Sequence, residues 1–242
     1  MIYVLITYLF YPLLYLLASL SKKRGFEKIL VIQTSKIGDM ICSTPVFREI
    51  KKRYPEVSLS VIASPVTAEL LKHNPHVDDV ITLNTKNTKG ISGKLELIKL
   101  LYKGKYDASV SLNPNIPFTI APLWALIPIR IAIMPNFCGT TLKIAYGLNT
   151  HNVRHETGRL VSETYMEMLE PLNIQTKDIS KEVYKPSEAD RKAEEFLSRL
   201  SVEKCVNPRP TKEDRNVTTC HPEFMSGSKE MLNQVQHDKS MY

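Results

Sequence analysis

Between Lys28 and Met134 the chain alternates short apolar runs with longer amphipathic ones. KILVIQ (28–33), SLSVIAS (58–64), DDVITL (78–83), DASVSL (107–112) and IRIAIM (129–134) each hold six or seven residues. Runs of that length, rich in β-branched residues, predict buried strands. The segments between them predict helices: one from about Asp39 or Thr44 to Arg53, one at PVTAELLKHN (65–74) with Pro65 in its first turn, and one at SGKLELIKLLYKG (92–104). Ser92 is the expected N-cap of the third and Gly104 its stop. The apolar, proline-bounded stretch before IRIAIM is a further helix candidate. Strands alternating with helices predict an α/β fold, a Rossmann-like, mostly parallel sheet with flanking helices.

Two regions break the pattern. MIYVLITYLFYPLLYLLASL (1–20) has no charged side chain and is followed at once by Lys22, Lys23 and Arg24. Twenty residues at ~1.5 Å each match the ~30 Å hydrocarbon core of a bilayer. The trailing positive charge would hold the following domain in the cytoplasm. Pro12 is expected to kink such a helix. Tyr8, Tyr11 and Tyr15 fall within ~60° on a helical wheel, which suits a helix lying at the membrane interface. A spanning helix, an interfacial helix and a core helix packed on the domain all remain open. At the other end, HETGRLVSETYMEMLEPLNI is expected to be a helix beginning at His155 and Glu156. Ser187 to Lys204 is expected to be another, capped by Ser187. From Cys205 the chain is polar, carries five Lys/Arg and five Asp/Glu, and is expected to be disordered. The domain reading is therefore 1–24 apolar helix and basic flank, 25–185 Rossmann-like domain, 186–204 helix, and 205–242 tail.

Charge changes the picture modestly. A net +7 over 242 residues favours acidic partners: phosphates, anionic lipids, nucleic acid or acidic sugars. Basic and aromatic residues are not interleaved, which argues against nucleic acid. Cys42, Cys138, Cys205 and Cys220 form no CxxC pair or metal-ligand spacing, so reduced thiols and no metal are expected.

The chemistry concentrates where the first strand enters the first helix, at TSKIGD (34–39). In parallel sheets ligands sit beyond the carboxyl ends of the strands. The loop has one glycine, so neither a Walker loop nor a dinucleotide fingerprint is present. Asp39 has two readings. It caps the helix through backbone N–H groups, or it faces a cleft and removes a proton from an attacking hydroxyl. Thr34, Ser35 and backbone N–H groups nearby suit an anionic or polyhydroxyl acceptor, and Lys36 adds charge. Other residues are weaker candidates. His73 and His76 lack a third ligand, Arg130 opens a strand toward cleft or solvent, and Trp124 suits a core better than a sugar platform.

The run from KILVIQTSKIGD through TPVFREIKKRYP and LLKHNPHVDDVI, with KYDASVSLNPN further on, resembles the amino-terminal half of the family 9 glycosyltransferases, the ADP-heptose:lipopolysaccharide heptosyltransferases. Weaker similarity continues through HETGRLVSETYMEMLEPLNI. The resemblance implies a GT-B fold, with an amino-terminal acceptor domain and a carboxy-terminal domain for an ADP-sugar donor. It implies inverting transfer of a heptose-like sugar to a lipopolysaccharide inner-core acceptor, without cofactor or metal. Asp39 matches the family's base, and Thr34, Ser35, Lys36 and Gly38 would line the acceptor side. The implied partners are a lipid-linked acidic sugar acceptor, a membrane surface, and an ADP-sugar only if a donor domain exists. The implied place is the cytoplasmic face of the bacterial inner membrane. The donor half has no counterpart after Lys204, and the ending resembles translated repetitive DNA. A truncated chain, inactive alone, is therefore expected. The alternatives are a membrane-tethered glycolipid-binding module without catalysis and a fragment with no stable role.

Overall fold

A computed structural model describes residues 2–21, 25–88 and 90–184, and beyond them only Arg191, Lys192 and Glu195. By contacts the chain divides into Met1–Pro186 and Ser187–Tyr242. The helix expected over 187–204 and the tail lie outside the described residues apart from those three positions. The first unit is built on six parallel strands in the order β3-β2-β1-β4-β5-β6. They are β1 (Lys28–Gln33), β2 (Ser58–Ala63), β3 (Asp79–Thr82), β4 (Ala108–Ser111), β5 (Ile129–Pro135) and β6 (His151–His155).

The unbroken apolar character of β1 follows from its central place. Ile29 and Val31 point into one core, with Phe47 and Ile50 of α2 (Ile37–Arg53), Leu71, and Tyr165 and Met166 of α7 (Val161–Glu167). Leu30 and Ile32 point into the other, with Leu97 and Leu101 of α4 (Gly90–Gly104) and Phe118 and Ala121 of α5 (Ile116–Trp124). A strand buried on both faces has no polar side to alternate with. Strand β1 is fully buried from Ile29 to Gln33.

Helix α5 is apolar on every side because it is covered twice. Its outer residues Ile120 and Leu123 form a third core with Val4 and Leu14 of α1 (Ile2–Leu20) and Ala145 of α6 (Thr140–Tyr146). Positions Val4, Thr7, Leu14 and Ala18 of α1 are buried at this contact, the 3-4 spacing of one helix face. Trp124 Nε1 donates to Thr7 Oγ1 at 2.9 Å, and Tyr8 donates its hydroxyl to the Ile144 carbonyl at 2.6 Å. The three tyrosines do form a row, with ring centroids 6.2 and 5.8 Å apart. The helix continues through Pro12, which lies on its exposed side.

Several expectations need correction. Helix α2 begins at Ile37, ahead of Asp39. PVTAELLKHN forms only α3 (Pro65–Ala68) and a 3-10 turn, Glu69–Leu71. Ser92 falls inside α4, which starts at Gly90 with φ +73, so Ser92 caps nothing. Gly104 does end α4; the chain turns away at Lys105, with φ +52, and the Tyr106 ring occupies the space a Cβ at Gly104 would need. His155 and Glu156 do not open a helix: His155 ends strand β6, and the helix begins at Val161. Strand β6 and helix α6 extend the alternation beyond its expected end. Arg130 faces neither cleft nor solvent. It is 1% exposed, donating to the carbonyls of Ile127, Pro128 and Leu148, and burial lowers its pKa from the usual arginine value.

Two carboxylates tie down the amino ends of the strands. Asp107 Oδ2 accepts from the backbone N–H of Glu27 at 2.7 Å and Lys28 at 2.9 Å. Asp78 Oδ2 accepts from Leu59 N and pairs with Lys51 Nζ, both at 2.6 Å. Asp107 is 6% exposed. Replacing Asp107 by Ala removes an ionised acceptor from two backbone donors. It is expected to cost about 2–3 kcal/mol, read as a lowered urea midpoint with an unchanged slope.

Candidate functional site

In this strand order the chain leaves β1 to one side through β2 and β3, then crosses back to β4 on the other side. The carboxyl ends of β1 and β4 therefore flank the switch point, where an open parallel sheet has its crevice. Thr34 follows β1 and Asn113 follows β4. Asn113 Nδ2 donates to Thr34 Oγ1 at 2.9 Å, joining the two loops across that point. Thr34 is 8% exposed. Beneath it, the buried Gln33 side chain turns back into the loop. Its Oε1 accepts from Ser35 N at 3.3 Å, and its Nε2 donates to the Tyr165 hydroxyl at 3.2 Å.

Lys36 occupies the N-cap position of α2 with extended backbone, and no side chain caps the helix. The first-turn N–H groups of an α-helix have no intrahelical acceptor. The cleft of about 570 Å³ at this turn is lined by Thr34, Ser35, Lys36, Ile37 and Gly38, with Ser64, Val66 and Thr67 opposite. Four of the expected acceptor residues, Thr34, Ser35, Lys36 and Gly38, are thus brought to one cavity. A Cβ at Gly38 would meet nothing within 4 Å, so packing does not require a glycine there. Ser64 and Thr67 form a reciprocal capping box that starts α3 and supports the opposite wall.

Asp39 stands next along the helix, half-buried and just behind the cleft-lining residues. Of the structural reading of this residue, hydrogen-bonded capping is not seen, whereas its place in the first turn of α2 does complement the helix dipole. The N-cap is three residues earlier, and among the described residues no hydrogen bond or ion pair engages the Asp39 carboxylate. It is close enough to Tyr165 for its charge to act on that hydroxyl. Burial pushes the Tyr165 pKa up to about 12, the Gln33 hydrogen bond opposes the rise, and the charges of Asp39 and Cys42 add to it. The hydroxyl therefore stays protonated beside the carboxylate.

A larger groove of about 620 Å³ runs along α7, but Arg159 in its wall is already paired with Glu163 at 3.3 Å and Glu167 at 2.6 Å. The switch-point cleft is the better candidate because it lies beyond the carboxyl ends of β1 and β2, at the start of a helix whose first-turn N–H groups no side chain caps. No group of three or more His, Cys, Asp or Glu among the described residues is arranged to hold a metal. Sequence reasoning missed Asn113, Ser64 and Thr67, although Asn113 directly follows a predicted strand, Ser64 ends one, and both had that signal. Gln33 and Tyr165 had none: one reads as strand, the other as helix.

No family model matches the chain. Lipopolysaccharide heptosyltransferase 3 of Escherichia coli is 29% identical over 140 residues, 57% of this chain and 40% of that protein. Among solved structures, the family 9 glycosyl transferase of Veillonella parvula DSM 2008 has a TM-score of 0.59 at 23% identity, covering 74% of this chain and 51% of that one. E. coli ADP-heptose lps heptosyltransferase II has a TM-score of 0.54 at 22% identity, covering 70% and 50%. The chain spans half or less of the length of these relatives. At that identity the structural likeness establishes the fold, the Rossmann-like half of a GT-B architecture.

The buried Tyr165 predicts a measurable alkaline signature. Its folded pKa lies above the unfolded value of 10.0, so the unfolded chain loses its proton first. Below pH 10 the contribution is fully present, and it is lost as pH rises toward 12. Tyr165→Phe is expected to flatten the fall in stability between pH 10 and 12, measured by urea unfolding at stepped pH.

Proposed function

We propose, from the premise that this chain is a member of the heptosyltransferase family over about half the length of its structural relatives, that its cleft binds the acceptor in glycosyl transfer. The acceptor is the acidic, lipid-linked inner core of lipopolysaccharide, and the donor is an ADP-sugar carrying a heptose-like group. The single observation that carries this reading is Asp39. Asp107 and Asp78 are engaged by backbone N–H groups. Asp39, at the switch-point cleft, has no hydrogen-bonding task in holding the described fold together. A carboxylate so placed is available to take a proton.

In the proposed step, an acceptor hydroxyl attacks the anomeric carbon of the donor. The carbon–oxygen bond to ADP breaks, ADP leaves with the electron pair, and the hydroxyl proton passes to Asp39. Attack from the side opposite the leaving group inverts the anomeric centre. Thr34, Ser35 and the first-turn N–H groups of α2 orient the acceptor, and Lys36 meets its negative charge. Asn113 holds the Thr34 hydroxyl in place. No cofactor or metal enters this scheme. We assign the donor to the portion of the relatives that this chain does not match, so transfer is expected where an acceptor half and a donor half face each other. The site of action is the cytoplasmic face of the bacterial inner membrane.

The test joins this chain to the donor half of a heptosyltransferase and follows transfer from ADP-heptose to an inner-core acceptor. Asp39→Asn is expected to lower kcat by about 10²–10⁴-fold with acceptor affinity retained. An Asn variant that turns over at the parental rate would remove Asp39 from the chemistry. A reading of binding without catalysis is favoured instead if the joined protein binds acceptor but transfers nothing. Gly38→Ala separates fold from function. With open space around its Cβ, it is expected to leave stability unchanged or raise it by up to about 1 kcal/mol. Acceptor affinity, measured by titration calorimetry, is expected to fall.

A further inference from the structure

Helix α1 buries one face and leaves the rest bare. Leu5, Leu9, Leu13, Leu16 and Leu20 are 54–77% exposed and follow one another along its outer side. Beside it on α4, Ile91 and Leu95 are 79% and 51% exposed. Between the two helices runs an apolar furrow of about 210 Å³ floored by Trp124 and Ile120. Lys94 lies at its edge, with Nζ 3.8 Å from the Tyr3 ring centroid. Apolar surface of this extent marks an interaction site.

The distribution of charge identifies the partner. Residues 1–24 and 90–150, which supply α1, α4, α5 and α6, hold nine Lys/Arg and two Asp/Glu. All of the +7 surplus lies there; the rest of the chain holds 23 of each sign. Asp107 and Arg130 are both buried and cancel in this count, and Lys22, Lys23 and Arg24, outside the described residues, follow α1 directly in the sequence. Lys99, Lys103, Lys105 and Lys143 are exposed around the layer. A bare apolar stripe bordered by lysines has the chemistry of an interfacial helix on an anionic bilayer.

From this we infer that α1, held flat against the domain by Val4, Thr7, Leu14 and Ala18, seats the protein on an anionic membrane surface without crossing it. Crossing would strip α1 from the third core, exposing Leu123 and Ile120 and breaking the Trp124–Thr7 hydrogen bond. Self-association through this layer would bring two like-charged faces together, which is unfavourable. Tyr3 adjoins Pro117 at the start of α5 and Lys94 near the start of α4. Those helices follow β3 and β4, so the seat reaches the edge of the sheet that carries Thr34 and Asn113. That geometry suits the lipid-linked acceptor of the proposed function, on which only this last point rests.

The test is flotation of the full chain with vesicles of phosphatidylethanolamine and phosphatidylglycerol, against vesicles of phosphatidylcholine. The wild type is expected to float with the anionic vesicles at least about tenfold better, and to lose most of that preference in 0.5 M NaCl. Leu9→Glu/Leu13→Glu/Leu16→Glu is expected to keep its circular dichroism and stay with the soluble fraction. Lys99→Glu/Lys103→Glu/Lys143→Glu, which leaves the apolar face intact, is expected to lose the anionic preference. Trp124, the single tryptophan, reports whether α1 stays docked: its emission should hold or shift to shorter wavelength on the vesicles. A red shift, equal binding to both vesicles, or flotation of the folded triple-Glu leucine variant would overturn the inference. So would a lipid-free dimer that the leucine substitutions dissolve. Asp39→Asn is expected to float like wild type, so loss of transfer and loss of seating are separable failures.

Discussion

Strand β1 has to be buried on both faces, and much of the molecule follows from that demand. Its side chains alternate between two cores, Ile29 and Val31 into one, Leu30 and Ile32 into the other. Each core needs its own layer of helices, which only right-handed crossovers on opposite sides of the strand can supply. The chain therefore runs outward through β2 and β3, returns past β1, and runs outward again through β4, β5 and β6. The reversal leaves a crevice between the ends of β1 and β4. The site is there because the topology leaves backbone and polar side chains uncovered at that one point, bridged by the Asn113–Thr34 hydrogen bond.

The three carboxylates show how position divides structural from chemical work. Asp107 and Asp78 lie at the amino ends of strands, where backbone N–H groups emerge and need acceptors. Asp39 lies at the opposite edge, in the first turn of α2 and just behind the cleft-lining residues. The same residue type is thus engaged by backbone N–H groups at one edge and without such a hydrogen bond at the other.

The second layer of burial has a similar logic. Helix α5 is apolar all round, so a two-layer domain would leave its outer face in water. Helix α1 covers that face and inherits the problem, since its own outer leucines remain bare. In the seating we infer, a lipid surface ends the sequence of covering layers without another helix, and the lysines exposed around the same layer draw it there.

The alternation of strands and helices, the buried character of β1, and the position of the TSKIGD loop at the carboxyl end of a central strand were all legible in the amino-acid order. Period and run length depend on local geometry alone. Strand β6 was not legible, because HNVRH is polar and lies at the edge of the sheet, half-exposed to exposed throughout. Nor was the burial of Arg130, whose Nε and Nη1 donate to carbonyls 2, 3 and 18 residues away in the chain while its buried Nη2 has no partner among the described residues. Tyr165 is 132 residues from Gln33, and nothing in either neighbourhood announces their hydrogen bond. The sequence by itself determined five of the six strands, that a helix follows β1, and that Asp39 is near its start. Only the tertiary structure decided that Asp39 caps nothing, that Asn113 belongs to the site, and that α1 lies on the domain. Those three depend on which groups meet across long separations, and a linear pattern holds no record of that.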